Sequence, residues 1–384
     1  MSDVVNLEES RAKIDEIDRE LVRLYTERMR TAADVAAYKK EKGLPVLDAG
    51  RERKLLARVQ DMAGEEFSDS VTALYSTVLS LSRAYQSQLL SGKGAIASAI
   101  ERALSETPPL FPERATIACQ GVEGAYSQIA TGKLFHHPEI MYFHNFEGVF
   151  SAIEAGLCRY GVLPIENSTA GSVLKVYDLM KCHRFHIVRS VRVKVDHCLL
   201  TKNGARLSEV KEIFSHEQAI RQCAGFLEAM KGVKVTPCEN TAVAARMVAE
   251  SDRKDVAALS SRDCAELYRL HIERESVQDQ DNNYTRFICI SKDLEIYPGA
   301  DRTSIMMTVS HKPGSLYHLL SRFYALQVNL TKLESRPIPD RDFEFRFYFD
   351  LETSVYSPRL LRLLTELEGE SSDFRYLGTY SETV

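Results

Sequence analysis

Glycine and proline are missing from the start of this chain. The first glycine is Gly43 and the first proline is Pro45, and no further proline occurs before Pro108. Because these two residue types interrupt helices, their absence predicts long helical segments. Apolar residues recur there at the three- and four-residue spacing of a buried helix face, at Leu7, Ile14, Ile17, Leu21, Leu24 and Val35. We therefore predict an all-α domain over residues 1–91.

Three helices are predicted in this domain, over about 7–42, 49–62 and 68–90. The first would be about 50 Å long, too long to be covered by two shorter helices of the same chain. Arg11 and Arg28 lie about 25 Å apart along it, so both reach one small ligand only if one comes from another chain. We therefore expect an intertwined helical dimer.

Composition limits the class of protein. A chain of 384 residues suggests two to three domains, and a net charge of −5 argues against a broad basic surface for nucleic acid. No apolar run approaches the roughly 20 residues of a membrane span, and no signal peptide is recognisable at the N-terminus. The eight cysteines form no C-x-x-C pair, which favours reduced thiols over zinc ligands. We expect a cytoplasmic protein with no membrane or nucleic-acid partner.

The rest of the chain divides into three parts. Glycines and prolines mark a linker over 92–114, with a short helix at about 95–105. Over 115–292, short apolar runs alternate with helix-like stretches, which predicts an α/β domain with a largely parallel sheet. Over 302–380, the predicted order is β-α-β-β-α-β, the ferredoxin-like α+β pattern.

The first helix carries cations on its apolar stripe. Arg28 lies on the stripe itself, and Lys39 is only about 20° away around the helix. A buried cation needs an anionic partner, or it costs several kcal/mol. Two interpretations stay open. The side chains either reach solvent and pair with Asp15, Asp18 or Glu27, or they bind an anionic ligand.

The pattern of Arg11, Arg28, Lys39, Asp48-x-x-Arg51-Glu52 and Ser82-x-x-x-Gln86 resembles the all-helical chorismate mutase family. The resemblance implies that Arg11 and Arg28 bind the two carboxylates of chorismate, with one arginine crossing from a partner chain. It implies that Lys39 and Gln86 contact the ether oxygen, with Gln88 as the alternative to Gln86, and that Glu52 contacts the ring hydroxyl. The remaining substrate-binding candidates are Asp48, Arg51 and Ser82. Such a rearrangement requires only conformational restraint and charge stabilisation.

Three polar segments of the middle domain lie next to predicted strands. They are Glu166-Asn167-Ser168-Thr169, Ser215-His216-x-Gln218 and Asn283-x-Thr285-Arg286-Phe287. Each alone is an ordinary helix cap or turn. Together they resemble the prephenate dehydratase family, which implies two α/β lobes, like those of periplasmic binding proteins, with the site in the cleft.

Prephenate dehydration loses carbon dioxide and a ring hydroxyl to give phenylpyruvate. By resemblance, Thr285 is the donor to the leaving hydroxyl, and Arg286 steadies a carboxylate or the local fold. A threonine is a weak acid, so this role requires a polar network around it. The substrate-binding candidates are Glu166, Asn167, Ser168, Ser215, His216, Gln218, Asn283, Arg286 and Phe287.

The C-terminal segments Lys312-Pro313-Gly314-Ser315-Leu316 and Glu334-Ser335-Arg336-Pro337 resemble the ACT regulatory domain. Such domains pair side by side and bind an amino acid at the interface. The resemblance implies inhibition by L-phenylalanine bound at Gly314, Ser315, Leu316, Asn329, Glu334, Ser335 and Arg336. The alternative is a structural dimerisation domain without a ligand.

Together, the three resemblances imply a homodimeric or larger bifunctional enzyme without metal or organic cofactor. It would convert chorismate to prephenate and prephenate to phenylpyruvate. Two rival interpretations remain: a dehydratase whose helical domain only dimerises, and a non-catalytic amino-acid sensor. The choice between prephenate and arogenate as substrate also stays open.

Overall fold

The computed structural model describes residues 6–91, 94–338, 344–371 and 373–383, without the side chains of residues 88, 91 and 370. The chain forms two compact units. The first comprises Met1–Ser98, Met307–Val328 and Tyr356–Arg375. The second comprises Ala99–Met306, Asn329–Val355 and Tyr376–Val384. The helices of the C-terminal region are thus grouped with the N-terminal helices, and its strands with the middle domain.

The first unit begins with helix α1, Leu7–Lys42, as predicted. Asn6 caps its first turn by accepting a hydrogen bond from the Glu8 amide (3.1 Å), and Gly43 ends it in the left-handed conformation with φ 64°. Such a conformation favours glycine. The apolar stripe over the first half of α1 is not covered within the unit. Its members are 48–59% exposed: Leu7, Ile14, Ile17, Leu21 and Leu24.

Helix α2, Ala49–Ser91, contains a break at Gly64 (φ 70°, ψ 174°). The predicted helices over 49–62 and 68–90 are its two arms. Glu52 and Arg83 lie on different arms, and in a straight helix they would be about 46 Å apart. Their charged groups are 2.6 Å apart, so the arms fold back on each other. Helices α11 (Ser315–Ala325) and α12 (Pro358–Glu370) complete the helices of this unit.

The predicted linker contains helix α3, Ala95–Glu106, which buries Ala97, Ile100 and Ala103. The first two linker residues, 92 and 93, lie outside the described residues. The middle domain follows. Its helices are α4 Tyr126–Leu134, α5 Phe146–Glu154, α6 Leu174–Met180, α7 Glu217–Gln222, α8 Ala224–Ala229, α9 Thr241–Glu250 and α10 Arg262–Leu267, with a 3₁₀ turn at Leu207–Glu209. Its strands are β1 Arg114–Gln120, β2 His137–Phe143, β3 Tyr160–Asn167, β4 Gly171–Ser172, β5 His186–Lys194, β6 Cys198–Thr201, β7 Glu212–His216, β8 Lys234–Cys238, β9 Val256–Ser260, β10 His271–Arg274 and β11 Tyr284–Ser291.

These strands form two sheets, and the prediction that they are largely parallel is wrong. In the smaller sheet, of order β10-β6-β9-β7-β8, only β7 with β8 and β9 pairs in parallel. In the larger sheet, β1 is parallel to β2 and β3, whereas β11 is antiparallel to β3 and β5. The physical reason is the chain path. After β5 the chain builds the second sheet and returns as β11, which enters between β3 and β5 from the opposite end.

The C-terminal region adds β12 Arg302–Val309, β13 Asn329–Pro337, β14 Phe345–Glu352 and β15 Arg375–Thr383. With α11 and α12, these follow the predicted β-α-β-β-α-β order. The sequence did not indicate that β15 pairs in parallel with β5, which joins these strands to the middle domain in a ten-stranded sheet. Its order is β13-β14-β12-β15-β5-β11-β3-β1-β2, with β4 beside β3.

The junction between β15 and β5 requires a residue without a side chain. Gly378 has φ 144°, and a Cβ built on it would lie 2.2 Å from the carbonyl oxygen of Ile187. The backbone of Ile187 cannot move aside as the end of a flexible side chain can. The close approach of the two strands therefore depends on glycine at this position.

We expect Gly378→Ala to lower the thermal midpoint by about 5 °C or more, because the methyl group overlaps backbone and φ is unfavourable. Thermal unfolding followed by circular dichroism measures the shift. Gly132→Ala is the matched control, since a Cβ there has open space and ordinary helical φ. A midpoint for Gly378→Ala equal to that of Gly132→Ala would contradict this account.

Two candidate active sites

A cavity of about 880 Å³ lies in the helical domain between α1 and the two arms of α2. It is lined by both charged and apolar side chains. The structure brings seven of the predicted mutase residues to its wall: Arg28, Lys39, Asp48, Arg51, Glu52, Ser82 and Gln86. The side chain of Gln88 lies outside the described ones. Arg11 is not in the wall; it is exposed on α1 and pairs with Glu8 at 3.4 Å.

Two polar atoms in this wall lack a partner. Arg28 Nη1 and Gln86 Oε1 are buried and make no hydrogen bond to any described residue. Gln86 Nε2 donates to Ser82 Oγ (3.3 Å), and Lys39 Nζ donates to the Val46 carbonyl oxygen. Because a buried polar group without a partner costs about 1–3 kcal/mol, the wall is suited to a polar ligand.

The carboxylates of the wall are held in place. Asp48 Oδ1 accepts from the Arg51 amide (2.9 Å) and so caps the first arm of α2. Arg83 Nη1 donates to both oxygens of Glu52 (2.7 and 2.6 Å). Sequence reasoning missed Arg83, because nothing in the sequence pairs position 83 with position 52 until the arms fold together.

A second cavity, of about 520 Å³, lies in the middle domain. Polar side chains form nearly all of its wall: Thr169, Gln218, Arg221, Gln222, Gln278, Asp279, Gln280 and Asn283, with Ala170. These residues come from the turn between β3 and β4, from α7 and from the segment before β11.

Asn167 is the centre of the hydrogen-bond network beside this cleft. Its Nδ2 donates to Thr285 Oγ1 (2.9 Å) and to Asn283 Oδ1 (2.8 Å). Its Oδ1 accepts from the hydroxyl of Thr169 (2.7 Å) and the amide of Ala170 (2.9 Å). Since the amide of Asn167 supplies a donor to Thr285, the threonine O–H is free to donate elsewhere, and donation to its oxygen strengthens it as a donor.

Other predicted residues support the strands and helices around the cleft. Ser168 Oγ donates to the Asn282 carbonyl oxygen (2.9 Å), and His216 Nδ1 accepts from the Gln218 amide (3.3 Å) as a helix cap. Ser215 is fully buried and donates to the Leu259 carbonyl oxygen (2.8 Å). Phe287 lies in the hydrophobic core. Burial lowers the pKa of His216.

Sequence reasoning did not assign Gln222, His197 or Thr169 to the binding residues, although Thr169 belongs to a quoted segment. Gln222 Nε2 donates to Thr169 Oγ1 (3.0 Å), and Gln222 Oε1 lies 3.1 Å from His197 Nε2. Burial lowers the pKa of His197, so this ring is neutral at pH 7. A signal was present for Gln222, which follows Gln218 by one helical turn on the same face.

Glu166 and Arg286 belong to a different network. Arg286 is 6% exposed; it pairs with Asp350 of β14 and, at 3.3 Å, with Glu166. Lys332 of β13 pairs with Glu166 at 3.0 Å. Burial by itself would lower the pKa of Arg286, but the negative charges of Asp350 and Glu166 raise it overall. Both predicted residues thus contact the C-terminal strands.

The predicted amino-acid-binding residues lie in both units. In the first, Gly314 (φ 81°) precedes α11, Ser315 Oγ is 2.9 Å from Ser310 Oγ, and Leu316 is half-buried. In the second, Glu334 accepts from Ser172 Oγ (2.5 Å), and Arg336 makes two hydrogen bonds to Asp178 (2.9 and 2.8 Å). Asn329 Nδ2 donates to Glu352 (2.9 Å), and Ser335 is exposed.

Two features are absent from the described residues. No group of three or more His, Cys, Asp or Glu side chains in them is arranged to hold a metal ion. None of their helices combines the length and apolar character that crossing a membrane requires.

Comparison with known proteins assigns both of these regions of the chain to a family. Residues 117–295 match the family profile of prephenate dehydratase, and residues 10–87 match that of chorismate mutase type II. The chloroplastic arogenate dehydratase/prephenate dehydratase 1 of Arabidopsis thaliana is 38% identical over 281 residues, 69% of this chain and 71% of that protein.

Two solved structures share the fold. One is described as GqqA, a quorum quenching acylase, with a TM-score of 0.64 and 32% identity over 70% of this chain and 98% of that one. The other is the prephenate dehydratase of Arthrobacter aurescens in complex with L-Phe. Its TM-score is 0.64 and its identity 26%, over 69% of this chain and 89% of that one.

Two cavities, one among helices and one in an α/β domain, together with the two family matches, indicate a bifunctional enzyme that acts on small molecules. The chain belongs to the prephenate dehydratase family and carries a type II chorismate mutase domain at its N-terminus. It therefore combines an isomerase and a carbon–oxygen lyase of phenylalanine biosynthesis, and the non-catalytic sensor is set aside.

We expect Asn167→Asp to reduce the dehydratase kcat about 100-fold or more, because a carboxylate cannot donate to Thr285 and would accept its proton instead. Prephenate-dependent formation of phenylpyruvate measures this. Mutase activity of the same preparation is the internal control, and Asn203→Asp, on the exposed surface, is the matched variant. Equal dehydratase rates in the two variants would contradict the assignment of Asn167.

Proposed function

We propose that the cavity between α1 and α2 binds chorismate and promotes its rearrangement to prephenate. The observation that carries this is the pair of unpartnered polar atoms, Arg28 Nη1 and Gln86 Oε1, in a wall that also contains Lys39. Arg28 binds a carboxylate. Lys39 and Gln86 donate to the ether oxygen as it gains charge, the amide of Gln86 after a half-turn about its last side-chain bond. Glu52 accepts from the ring hydroxyl, while Asp48, Arg51 and Ser82 complete the contacts.

A second copy of the chain completes this site. The exposed stripe on α1 is apolar over about five turns, which favours packing against its equivalent in a homodimer. Arg11 lies at the start of that stripe and outside the wall formed by its own chain. In the dimer, Arg11 of one protomer binds the second carboxylate in its partner's cavity. Higher oligomers would form through other surfaces.

Arg11→Ala and Arg28→Ala are each expected to lose most mutase activity and to retain dehydratase activity. If each cavity needs Arg28 of one chain and Arg11 of its partner, a heterodimer of the two variants contains one intact site. Co-refolding equal amounts should then restore about a quarter of wild-type mutase activity, since half of randomly formed dimers are mixed.

Co-refolding the wild-type protein with each single variant is the control for refolding yield. No recovery in the mixed sample, with normal recovery in that control, would place Arg11 and Arg28 in the same chain's site. Full mutase activity in Arg28→Ala alone would contradict the proposed cavity, whereas an absence of mutase activity in the wild-type protein would support the interpretation that the helices serve only for dimerisation.

We further propose that prephenate binds in the cleft beside Asn167. Thr285 donates a hydrogen bond to the ring hydroxyl, which leaves as water while the ring carboxylate leaves as carbon dioxide and the ring becomes aromatic. The Thr285 hydroxyl passes its proton to the leaving oxygen and regains a proton from solvent. The amides of Gln218 and Asn283 donate to the side-chain carboxylate, and the Ser168 hydroxyl joins them by turning away from the Asn282 carbonyl oxygen. Ser215, His216 and Phe287 hold the surrounding strands and helix in place.

The C-terminal region is proposed to be a ferredoxin-like ACT domain that binds L-phenylalanine and inhibits the dehydratase. Its element order and the strand order β13-β14-β12-β15 support the fold. The Arthrobacter aurescens protein, solved with L-Phe, supports the ligand. The binding residues remain Gly314, Ser315, Leu316, Asn329, Glu334, Ser335 and Arg336.

The ion pairs of Arg286 provide a route for that inhibition. Glu334 contacts Ser172, Lys332 contacts both Ser172 (2.7 Å) and Glu166, and Arg286 joins Glu166 to Asp350. Arg286 is adjacent to Thr285 on β11. A ligand that draws Glu334 away from Ser172 would therefore disturb the strand that carries Thr285.

We expect Asp350→Asn to weaken inhibition by L-phenylalanine about 10-fold, with little change in the uninhibited dehydratase rate, because the link from β14 to Arg286 loses its charge. Dehydratase rates across a phenylalanine titration measure this, and calorimetry checks that phenylalanine still binds. The matched control is Asp301→Asn, an exposed carboxylate of the same region. Unchanged inhibition in Asp350→Asn would contradict this route.

A cytoplasmic location is also proposed. All eight cysteines are free, and burial raises the pKa of several of them, including that of Cys119 to about 12, which keeps these thiols inert. Free thiols are typical of a reducing compartment.

A further inference from the structure

Arg83 occupies an unexpected position in the mutase cavity. It lies on the second arm of α2, directly after Ser82 and one turn before Gln86. Its side chain is 31% exposed and that of Glu52 is 22% exposed, so the pair is partly shielded from water. One nitrogen of Arg83 donates to both carboxylate oxygens, at 2.7 and 2.6 Å.

Glu52 needs such a partner because of the charge of the ligand. The substrate of the proposed function is a dianion, and the wall receives it with the cations Arg28, Lys39 and Arg51. A carboxylate in the same wall is repelled by that ligand and attracted by those cations. A fixed positive charge beside it, that of Arg83, offsets the repulsion and keeps the carboxylate from turning toward the substrate-binding cations.

Arg83 lines the same cavity as Glu52 and reaches its carboxylate from the second arm of α2. On its other side, Arg83 lies near His318 of α11, whose pKa is lowered by burial and further by the charges of Arg83 and Arg322. Arg322 donates to Ser80 Oγ (2.8 Å), three residues before Arg83 on the same arm. Arg83 is therefore bound to Glu52 and lies near α11.

We propose that Arg83 is a positioning residue of the mutase site and acts through Glu52. This proposal rests on the function proposed above for that cavity. It fixes the orientation in which Glu52 accepts a hydrogen bond from the ring hydroxyl of the substrate. It does not itself contact the reacting atoms.

The test is a set of mutase measurements on the full-length enzyme. Arg83→Met removes the charge and keeps most of the chain length, Arg83→Lys restores a charge, and Glu52→Gln removes the carboxylate. We expect Arg83→Met to reduce mutase kcat on the order of 100-fold, and Arg83→Lys to recover part of the loss. In the Glu52→Gln background, Arg83→Met should have little further effect, since both changes remove the same interaction.

Dehydratase activity and the thermal midpoint are measured in parallel, with the exposed Arg53→Met as the matched control. An unchanged mutase kcat in Arg83→Met would overturn the proposal. So would a full additional loss in the Glu52→Gln background, which would show that Arg83 contacts the substrate directly. A fall in dehydratase activity and midpoint that matches the mutase loss would assign Arg83 a purely structural role.

The failure of this inference is distinct from the failure of the proposed function. If Arg28→Ala abolishes mutase activity and Arg83→Met does not, only the role of Arg83 is wrong. If neither variant affects mutase activity, the cavity is not the mutase site.

Discussion

The pairing of β3 with β11 fixes the positions of the residues proposed for the dehydratase site and of their surroundings. In this antiparallel pair, Thr285 lies opposite Asn167, and Arg286 lies opposite Glu166. Because neighbouring residues on a strand point to opposite faces, one register sends the first pair toward the cleft and the second toward the C-terminal strands. The register shifts between Arg286 and Phe287, which returns Phe287 to the core. A slip of one residue in this register would move Thr285 to the face now occupied by Arg286, and Arg286 to the face of Thr285.

The ten-stranded sheet extends this constraint to the C-terminal strands. β13 is at one end of the strand order and β4 is beside β3, yet Lys332 and Ser172 are in hydrogen-bond contact at 2.7 Å. The sheet therefore coils strongly enough to bring distant strands together. Its hydrophobic core is shared as well, since Phe150 and Ile187 of the middle domain belong to one cluster with Met306, Tyr348 and Leu377. The ionic link between Arg286 and Asp350 is held by this common core.

In the helical domain, the length of helix α1 determines the architecture. Helix α1 buries Ala32 and Ala36 in its second half, while the first half keeps its apolar stripe exposed. The folded-back arms of α2 are too short to cover both halves. The chain thus forms a cavity beside the second half of α1 and carries Arg11 outside the wall of that cavity. The same geometry makes Arg83 available to Glu52, since the break at Gly64 brings the two arms together.

Local signals in the sequence determined much of this protein. The absence of glycine and proline before Gly43 and the cap at Asn6 set α1, and the motif residues identified both families. Alternation of strands and helices gave the domain order. Only the tertiary structure decided the partners of these residues: Arg83 for Glu52, Asp350 for Arg286, and Gln222 for Thr169. It also decided that β11 runs antiparallel and that β15 joins β5. These features depend on which distant segments meet, and hydrophobic periodicity records which face of a segment is buried but not what lies against it.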